Sequence, residues 1–248
     1  MADSLVIIPT YNEIENISSI IEAVIGLPED FDILIIDDNS PDGTADVVKQ
    51  LMEKYPGKVF LEQREGKLGL GTAYIHGFKW ALKHDYKYII EMDADFSHSP
   101  DDLPKLVNAC RNEGADVAIG SRYISGVNVV NWPMGRVLMS YYASAYVRLV
   151  TRMKVRDTTA GFVCWSRKVL ENIPLDDIEF KGYAFQIEMK FRAHQLGYKI
   201  KEVPIIFVNR VLGSSKMSGS IFEEAIFGVI KLRLSSVFKK KKKLEKKS

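Results

Sequence analysis

The chain has 248 residues, 46% hydrophobic and 27% charged, with a formal net charge of +2. This composition fits one large α/β domain or two small ones and excludes a disordered or low-complexity protein. Two cysteines, Cys110 and Cys164, lack metal-ligand spacing and read as core thiols of a reduced compartment, which excludes a disulfide scaffold. No apolar run reaches the ~18 residues that a spanning helix requires. Met1-Ala2-Asp3 leads straight into a strand without a signal-peptide pattern. From Lys239 onward seven lysines face one acid, Glu245, so the body of the chain is net negative and its tail basic. Such a body is a poor nucleic-acid binder. The tail suits an anionic membrane surface, where clustered lysines contribute about 1 kcal/mol each.

In chain order, Leu5 to Pro9 is an apolar strand stopped by proline. Asn12 to Gly26 has helical periodicity, with Ile14, Ile17, Ile20, Ile21, Val24 and Ile25 on one face. The triplet Asp30-Phe31-Asp32 precedes the second strand, Ile33 to Ile36, and reads as a solvated turn. A helix from Thr44 to Lys54 follows, capped by Asp42 or Thr44, and Val59 to Leu61 is a third strand. The Gly66-x-x-Gly69-x-Gly71 loop does not follow the first strand and is no dinucleotide fingerprint. It is expected to bring backbone close to a ligand. A helix over Gly71 to His84 and the strand Tyr88 to Met92 come next.

Asp101 to Glu113 is a further helix and Asp116 to Gly120 a strand. Arg136 to Thr151 forms a long helix, Phe162 to Ser166 a strand, Phe185 to Leu196 a helix, and Ile200 to Pro204 a strand. Strands interleaved with helices predict a mostly parallel sheet flanked by helices. No linker is visible before Ser218, so 1–217 is expected to be one domain. Residues 218–248 combine an amphipathic helix, about Ile221 to Phe238, with the lysine tail. That helix either docks on the domain or lies in a membrane surface.

Three strand ends carry ligand chemistry. Asp93-Ala94-Asp95 follows an apolar strand at once, and residues i and i+2 share a face. Ala94 is small enough to let a ligand approach. Two carboxylates placed there repel unless a cation neutralises them, and magnesium binds through one or two carboxylates plus substrate phosphates. At the end of strand two, an acid commonly grips a nucleoside; Asp38 takes that part. After strand one, Tyr11 offers a ring for a base and Glu13 an acceptor. Arg122, Arg136, Arg210 and Lys216 suit the positioning of anions. Asp157 in Asp157-Thr158-Thr159-Ala160-Gly161-Phe162 is a candidate acid near an acceptor, and His98 is the histidine placed near the site.

Taken together, Pro9-Thr10-Tyr11-Asn12-Glu13, Asp37-Asp38-Asn39-Ser40-Pro41-Asp42-Gly43-Thr44, Gly69-Leu70-Gly71-Thr72-Ala73-Tyr74 and Asp93-Ala94-Asp95-Phe96-Ser97-His98 resemble the inverting GT-A glycosyltransferases of family 2. Within it they are similar to the dolichol-phosphate (polyprenol-phosphate) mannose synthases, over about residues 4 to 217. The resemblance implies a Rossmann-like nucleotide-diphospho-sugar transferase fold, GDP-mannose as donor, Mg2+ or Mn2+, and a polyprenyl phosphate acceptor. It implies that Pro9, Tyr11, Glu13, Ile36 and Asp38 hold guanosine, and that Asp93, Ala94 and Asp95 hold diphosphate and metal. Arg122, Arg210 and Lys216 would meet phosphates, with Arg122, Arg136 and Ser140 near the acceptor phosphate. Asp93, Asp95, Arg122 and Arg136 form the expected catalytic set. Ser97 stands where some members carry a glutamine ligand, which puts Ser97 in doubt as a ligand. The implied location is the cytoplasmic face of a membrane, reached through the tail or a membrane-embedded partner subunit. Two rivals are a donor such as UDP-glucose and a decayed, non-catalytic domain acting as a membrane adaptor. A nucleotidyltransferase lacks its glycine-rich first loop here.

Overall fold

Side-chain alternation builds the centre of the molecule. In β1 (Ser4–Thr10) Leu5 and Ile7 enter one apolar cluster while Val6 and Ile8 enter another, and all four are fully buried. Strand β2 (Asp32–Asp37) repeats the pattern, with Leu34 and Ile36 on the first side and Ile33 and Ile35 on the second. Strands buried on both faces need helices on both. A computed structural model describes residues 2–182, 184–209 and 228–235 and shows that arrangement.

The first face is covered by α3 (Leu70–Leu82), α5 (Met134–Thr151), α6 (Arg167–Asn172) and α7 (Ala184–Gln195). The second is covered by α1 (Ile17–Ile25), α2 (Thr44–Lys54) and α4 (Leu103–Arg111). The remaining strands are β3 (Val59–Gln63), β4 (Tyr88–Glu91), β5 (Val117–Ser121), β6 (Val129–Val130), β7 (Val163–Ser166), β8 (Ile200–Pro204) and β9 (Phe207–Val208). The main sheet runs β3-β2-β1-β4-β7-β5-β8, and β6 pairs with β9 in a two-stranded ribbon.

All neighbours in the main sheet are parallel except β7, which is antiparallel to both β4 and β5. The order reverses between β1 and β4, the switch point where open α/β sheets leave a crevice for ligands. Because β7 runs backwards, its first residue, Val163, pairs with Glu91 of β4 and Ile119 of β5. The turn that precedes β7 therefore reaches the same rim as the chain leaving β4 and β5.

Several expectations need correction. Helix α1 begins at Ile17, not Asn12. The Glu13 N–H donates to Thr44 Oγ1 (3.1 Å) and the Ile14 N–H to Asp42 Oδ2 (3.1 Å), holding 12–16 as a turn against the start of α2. Ile14 is consequently 43% exposed rather than part of the buried stripe. Asp32 is not solvated: it opens β2, is fully buried, and takes bonds from Tyr86 Oη (3.0 Å) and the Ala2 N–H (3.3 Å) beside Lys58 Nζ at 3.3 Å. Strands β6 and β9 and helix α6 are too short for periodicity to reveal. Of the expected C-terminal helix only 228–235 falls within the described residues. It is helical, and its Val229 and Leu232 are buried in the cluster that holds Phe180.

Candidate active site

The rim is assembled from the carboxyl ends of β1, β2, β4 and β5 and the turn before β7. Asp37 fastens the first two. Its Oδ1 accepts from Thr10 Oγ1 (2.8 Å) and Ser40 Oγ (2.6 Å), and its Oδ2 from the Ser40 N–H (2.9 Å). The Asp38 side chain takes no part in these bonds. It is buried and paired with Arg64, whose Nε and Nη2 lie 2.6 and 2.5 Å from Oδ1. Burial pushes the Asp38 carboxyl above its usual value, and the Arg64 bond and charge offset this only in part. Arg64 also donates to Thr72 Oγ1 (2.7 Å), so α3 holds its far end.

Lys67, from the same loop, sits 5.0 Å over the Tyr11 ring. Loop 64–69 thus covers the strand ends where the sequence places a nucleoside. Neither lysine nor arginine was expected there. The available signal was two basic residues just past β3, at the same sheet edge as Asp38. Pro9 and Glu13 are half-buried in and just beyond β1, beside Tyr11. Ile36 is fully buried in the core, so its side chain belongs to the sheet rather than the crevice.

Two of the three glycines of that loop, Gly69 and Gly71, meet another part of the chain. A Cβ on Gly69 (φ +104°) would lie 3.0 Å from the Lys181 carbonyl oxygen. One on Gly71 would lie 2.8 Å from Phe185 Cβ and 2.9 Å from the Phe180 carbonyl. Their small size lets α3 dock on the segment leading into α7.

Beyond β4, Asp95 is buried and accepts the Ser97 N–H at Oδ1 (3.1 Å) in a tight turn with Phe96 at φ 58°. Asp93 is partly exposed, and its N–H donates to His98 Nδ1 (3.3 Å). His98 is stacked on Phe162 (4.8 Å) and meets the edge of Phe207 (5.4 Å). Burial lowers its pKa to about 4, so the ring is neutral near pH 7 and accepts that N–H. The His98 expectation thus resolves into a support for Asp93. Ser97 is buried, its carbonyl taking the Val208 N–H (3.3 Å), which ties β9 to this turn.

The rim is locally negative. Tyr74, fully buried on α3, has a hydroxyl with no partner, and its pKa is driven well up by burial and then by Asp93, Glu91 and Asp95. Among the described residues no cluster of three or more acidic, His or Cys groups could hold a metal by itself. Two carboxylates with surplus negative potential fit a hard divalent cation that takes its other ligands from phosphate and water.

Arg122 follows β5 and is buried. Its Nε and Nη2 bond Asp157 Oδ2 (2.7 Å) and Oδ1 (2.6 Å), and Nη2 reaches Thr159 Oγ1 (2.8 Å). Burial alone would raise the Asp157 carboxyl, but Arg122 outweighs it and holds that carboxyl below its usual value. Asp157 therefore anchors a cation and is not an acid offered to an acceptor. Trp132 gathers the basic side: Arg122 lies 5.5 Å and Arg136 4.0 Å from its ring, and Phe207 packs at 5.2 Å. Arg136, on α5, donates to Asn209 Oδ1 (3.1 Å), and Ser140 lies one turn further along the helix. Trp132 was not expected in the site, and its buried indole N–H has no acceptor. Arg210 and Lys216 lie outside the described residues.

Under the rim, Glu91 accepts from Trp165 Nε1 (2.6 Å) and Gln186 Nε2, while Lys190 Nζ donates to Gln186 Oε1 (3.1 Å) and the Ala160 carbonyl (2.6 Å). All these side chains are buried. Burial raises Glu91 to about 7 against the opposing charge of Lys190, and lowers Lys190 to about 8. This network joins β4 to the turn that carries Asp157.

A sheet of this order, with paired carboxylates after β4, an acid–arginine pair after β2 and a basic wall opposite, defines a GT-A nucleotide-sugar transferase. The chain belongs to glycosyl transferase family 2, whose model matches residues 5–174. It is 46% identical over 226 residues to polyprenol monophosphomannose synthase of Mycolicibacterium smegmatis, covering 91% of this chain and 85% of that protein. It is 45% identical over 232 residues to undecaprenyl-phosphate mannosyltransferase of Micrococcus luteus, covering 94% of each. Among solved structures it is similar to glucosyl-3-phosphoglycerate synthase of Mycobacterium tuberculosis, in complex with Mn2+, UDP-glucose and glycerol 3-phosphate. That match has a TM-score of 0.63 at 20% identity and covers 94% of this chain and 79% of the other. A mannosyltransferase from Pyrobaculum calidifontis in complex with GDP-mannose and Mn2+ matches with a TM-score of 0.59 at 17% identity, covering 96% and 64%. The expected fold class and the glycosyltransferase family therefore hold.

Proposed function

We propose that this chain transfers mannose, with inversion, from GDP-mannose to a polyprenyl phosphate. The observation that carries the reading is the near full-length similarity to two polyprenyl-phosphate mannosyltransferases. The geometry of the rim supports it. Asp38, oriented by Arg64, accepts from the guanine edge, and Tyr11 supplies a ring face. Asp93 and Asp95 would hold Mg2+ or Mn2+, which when bound neutralises charge on the departing diphosphate. Arg122 and Arg136, with Ser140, face the acceptor phosphate, and Arg210 and Lys216 are assigned to the donor phosphates. An oxygen of the acceptor phosphate bonds to the anomeric carbon as the bond to GDP breaks, its electron pair leaving with GDP. A phosphate is already ionised at neutral pH, so this needs no general base, only positioning of two anions.

The reading includes 1–217 as the catalytic unit, with the helix at 228–235 packed on it through Val229 and Leu232 and the lysines from Lys239 onward as the attachment element at the cytoplasmic face of a membrane. Among the described residues no helix is long and apolar enough to cross a membrane. Incubating the purified chain with radiolabelled GDP-mannose, manganese or magnesium, and polyprenyl phosphate yields labelled lipid. Absence of labelled lipid with either metal rejects the proposal. Thermal-shift titration with GDP, UDP and their sugars distinguishes the UDP-glucose alternative, because a ligand that binds only the native state raises its melting point.

A further inference from the structure

We infer that Tyr74 is a positioning residue for the divalent cation, its buried hydroxyl bonding a water of the ion's coordination shell beside Asp93 and Asp95. This rests on the cation reading of that pair under the proposed function. Tyr74 is fully buried, and among the described residues its hydroxyl has no hydrogen-bond partner. Native interiors leave few such groups unpaired, because a buried hydroxyl without a partner has given up its water for nothing.

Packing fixes where the hydroxyl lies. Helix α3 connects β3 to β4, and β1, β2, β3 and β4 run parallel, so the helix runs against the strands and starts at their carboxyl rim. Gly77 of α3 lies against β1: a Cβ there would be 2.8 Å from Ile7 Cγ2, and Ile7 pairs with Glu91. Tyr74 is three residues nearer the rim, about 4.5 Å along the axis, and helix side chains lean back toward the N-terminus. Its level is therefore that of the residues following Glu91, which are Met92 to Asp95. The ring is held there by stacking on Phe185 (6.1 Å) and Phe78 (6.3 Å). Gln186, next to Phe185, bonds Glu91, so ring and strand end share one pocket.

Electrostatics agree. Burial keeps the phenol protonated, and the charges that act on it after burial are Asp93, Glu91 and Asp95, in that order. Glu91 already accepts from Trp165 and Gln186. Water on a divalent cation becomes a strong donor. A phenol oxygen can accept from it while its O–H donates to a carboxylate, and it does so without adding charge to the site. Groups that orient metal ligands from outside typically carry roughly 10- to 100-fold in metal affinity.

The test uses the full chain and Tyr74→Phe, which removes one oxygen and keeps the stacked ring. GDP affinity is measured by titration calorimetry in excess Mn2+ and again in EDTA, and the ratio of the two gives the metal's contribution. Tyr74→Phe is expected to cut that ratio about tenfold, with affinity in EDTA unchanged and a metal-free urea midpoint no lower than wild type. Tyr86→Phe is the comparison. It removes a hydroxyl that donates to Asp32 (3.0 Å) at the amino end of β2, and is expected to lower the midpoint without changing the ratio. An unchanged ratio in Tyr74→Phe overturns the inference. A lower metal-free midpoint or a failure to fold also overturns it, by making the hydroxyl a structural partner. An equal loss of GDP affinity in EDTA overturns it in favour of a direct phosphate contact. A wild type whose GDP affinity ignores Mn2+ overturns it together with the cation reading. Absent mannose transfer with a Tyr74-dependent ratio rejects the proposed function and leaves this inference standing.

Discussion

Asp157 and Asp38 show how a carboxylate's partner decides its work. Both are buried acids near the crevice and each is matched by one arginine, yet Asp157 gives both oxygens to Arg122 while Arg64 binds one oxygen of Asp38. Replacing Asp157 with Asn keeps the shape and strands the Arg122 charge. Breaking a buried pair this way costs about 3–5 kcal/mol, which urea denaturation will show as a lower midpoint; an unchanged midpoint would contradict the anchoring role. Arg64→Ala acts on binding. Asp38 loses the cation that offsets its burial, so its pKa rises further and its carboxylate form becomes scarcer as pH falls. GDP affinity measured by titration calorimetry is expected to drop about tenfold, and to drop more at acid pH than in the wild type. Asp95→Ala is expected to abolish metal-dependent nucleotide binding with the fold preserved. Asp38 was legible in the sequence from its place after an apolar strand, and Asp157 from the turn that leads into one. Their arginine partners lie 26 and 35 positions away, a separation over which no local pattern operates.

At the scale of elements, long periodic segments were read well and their junctions were not. Helix α2 spans Thr44–Lys54 as expected, and the Asp42 carboxylate accepts the Thr44 N–H (3.0 Å) at its start. Helix α1 starts five residues later than the apolar spacing predicts, because that spacing continues through Ile14 while the backbone there bonds to the start of α2 instead. Gly69 and Gly71 answer to a similarly distant contact: what they approach is a segment about 110 residues downstream. Gly71→Ala is expected to destabilise by about 1–3 kcal/mol through overpacking on Phe185 and Phe180. Gly66, with nothing within 4 Å of a built Cβ and no positive φ, serves as the control; Gly66→Ala should stay within about 0.5 kcal/mol. Thermal melts of the two variants decide it, and equal shifts would refute the packing argument.

Across the whole molecule, the buried Glu91–Gln186–Lys190 network couples β4 to the turn before β7, and it carries a pH signature. The Lys190 pKa falls from 10.5 to about 8 on folding. Between those values the unfolded chain binds the extra proton, so this group's contribution makes stability rise with pH across that window. Relative to Lys190→Met, the wild type should gain up to about 3 kcal/mol between pH 8 and 10.5, read from urea midpoints at a series of pH values. A constant difference would show that Lys190 is charged when buried.

The sequence alone determined the alternation of strands and helices, the mostly parallel sheet and the acids at its carboxyl rim. Each follows from apolar period and from residues adjacent to a strand end, information local to a dozen positions. Tertiary structure decided the reversed β7, which delivers the Asp157 turn to the rim, the assignment of each arginine to its acid, and the burial of the Tyr74 hydroxyl without a partner among the described residues. Those outcomes depend on which distant surface meets which, and hydrophobic burial is not directional: it drives apolar faces together without naming their partners.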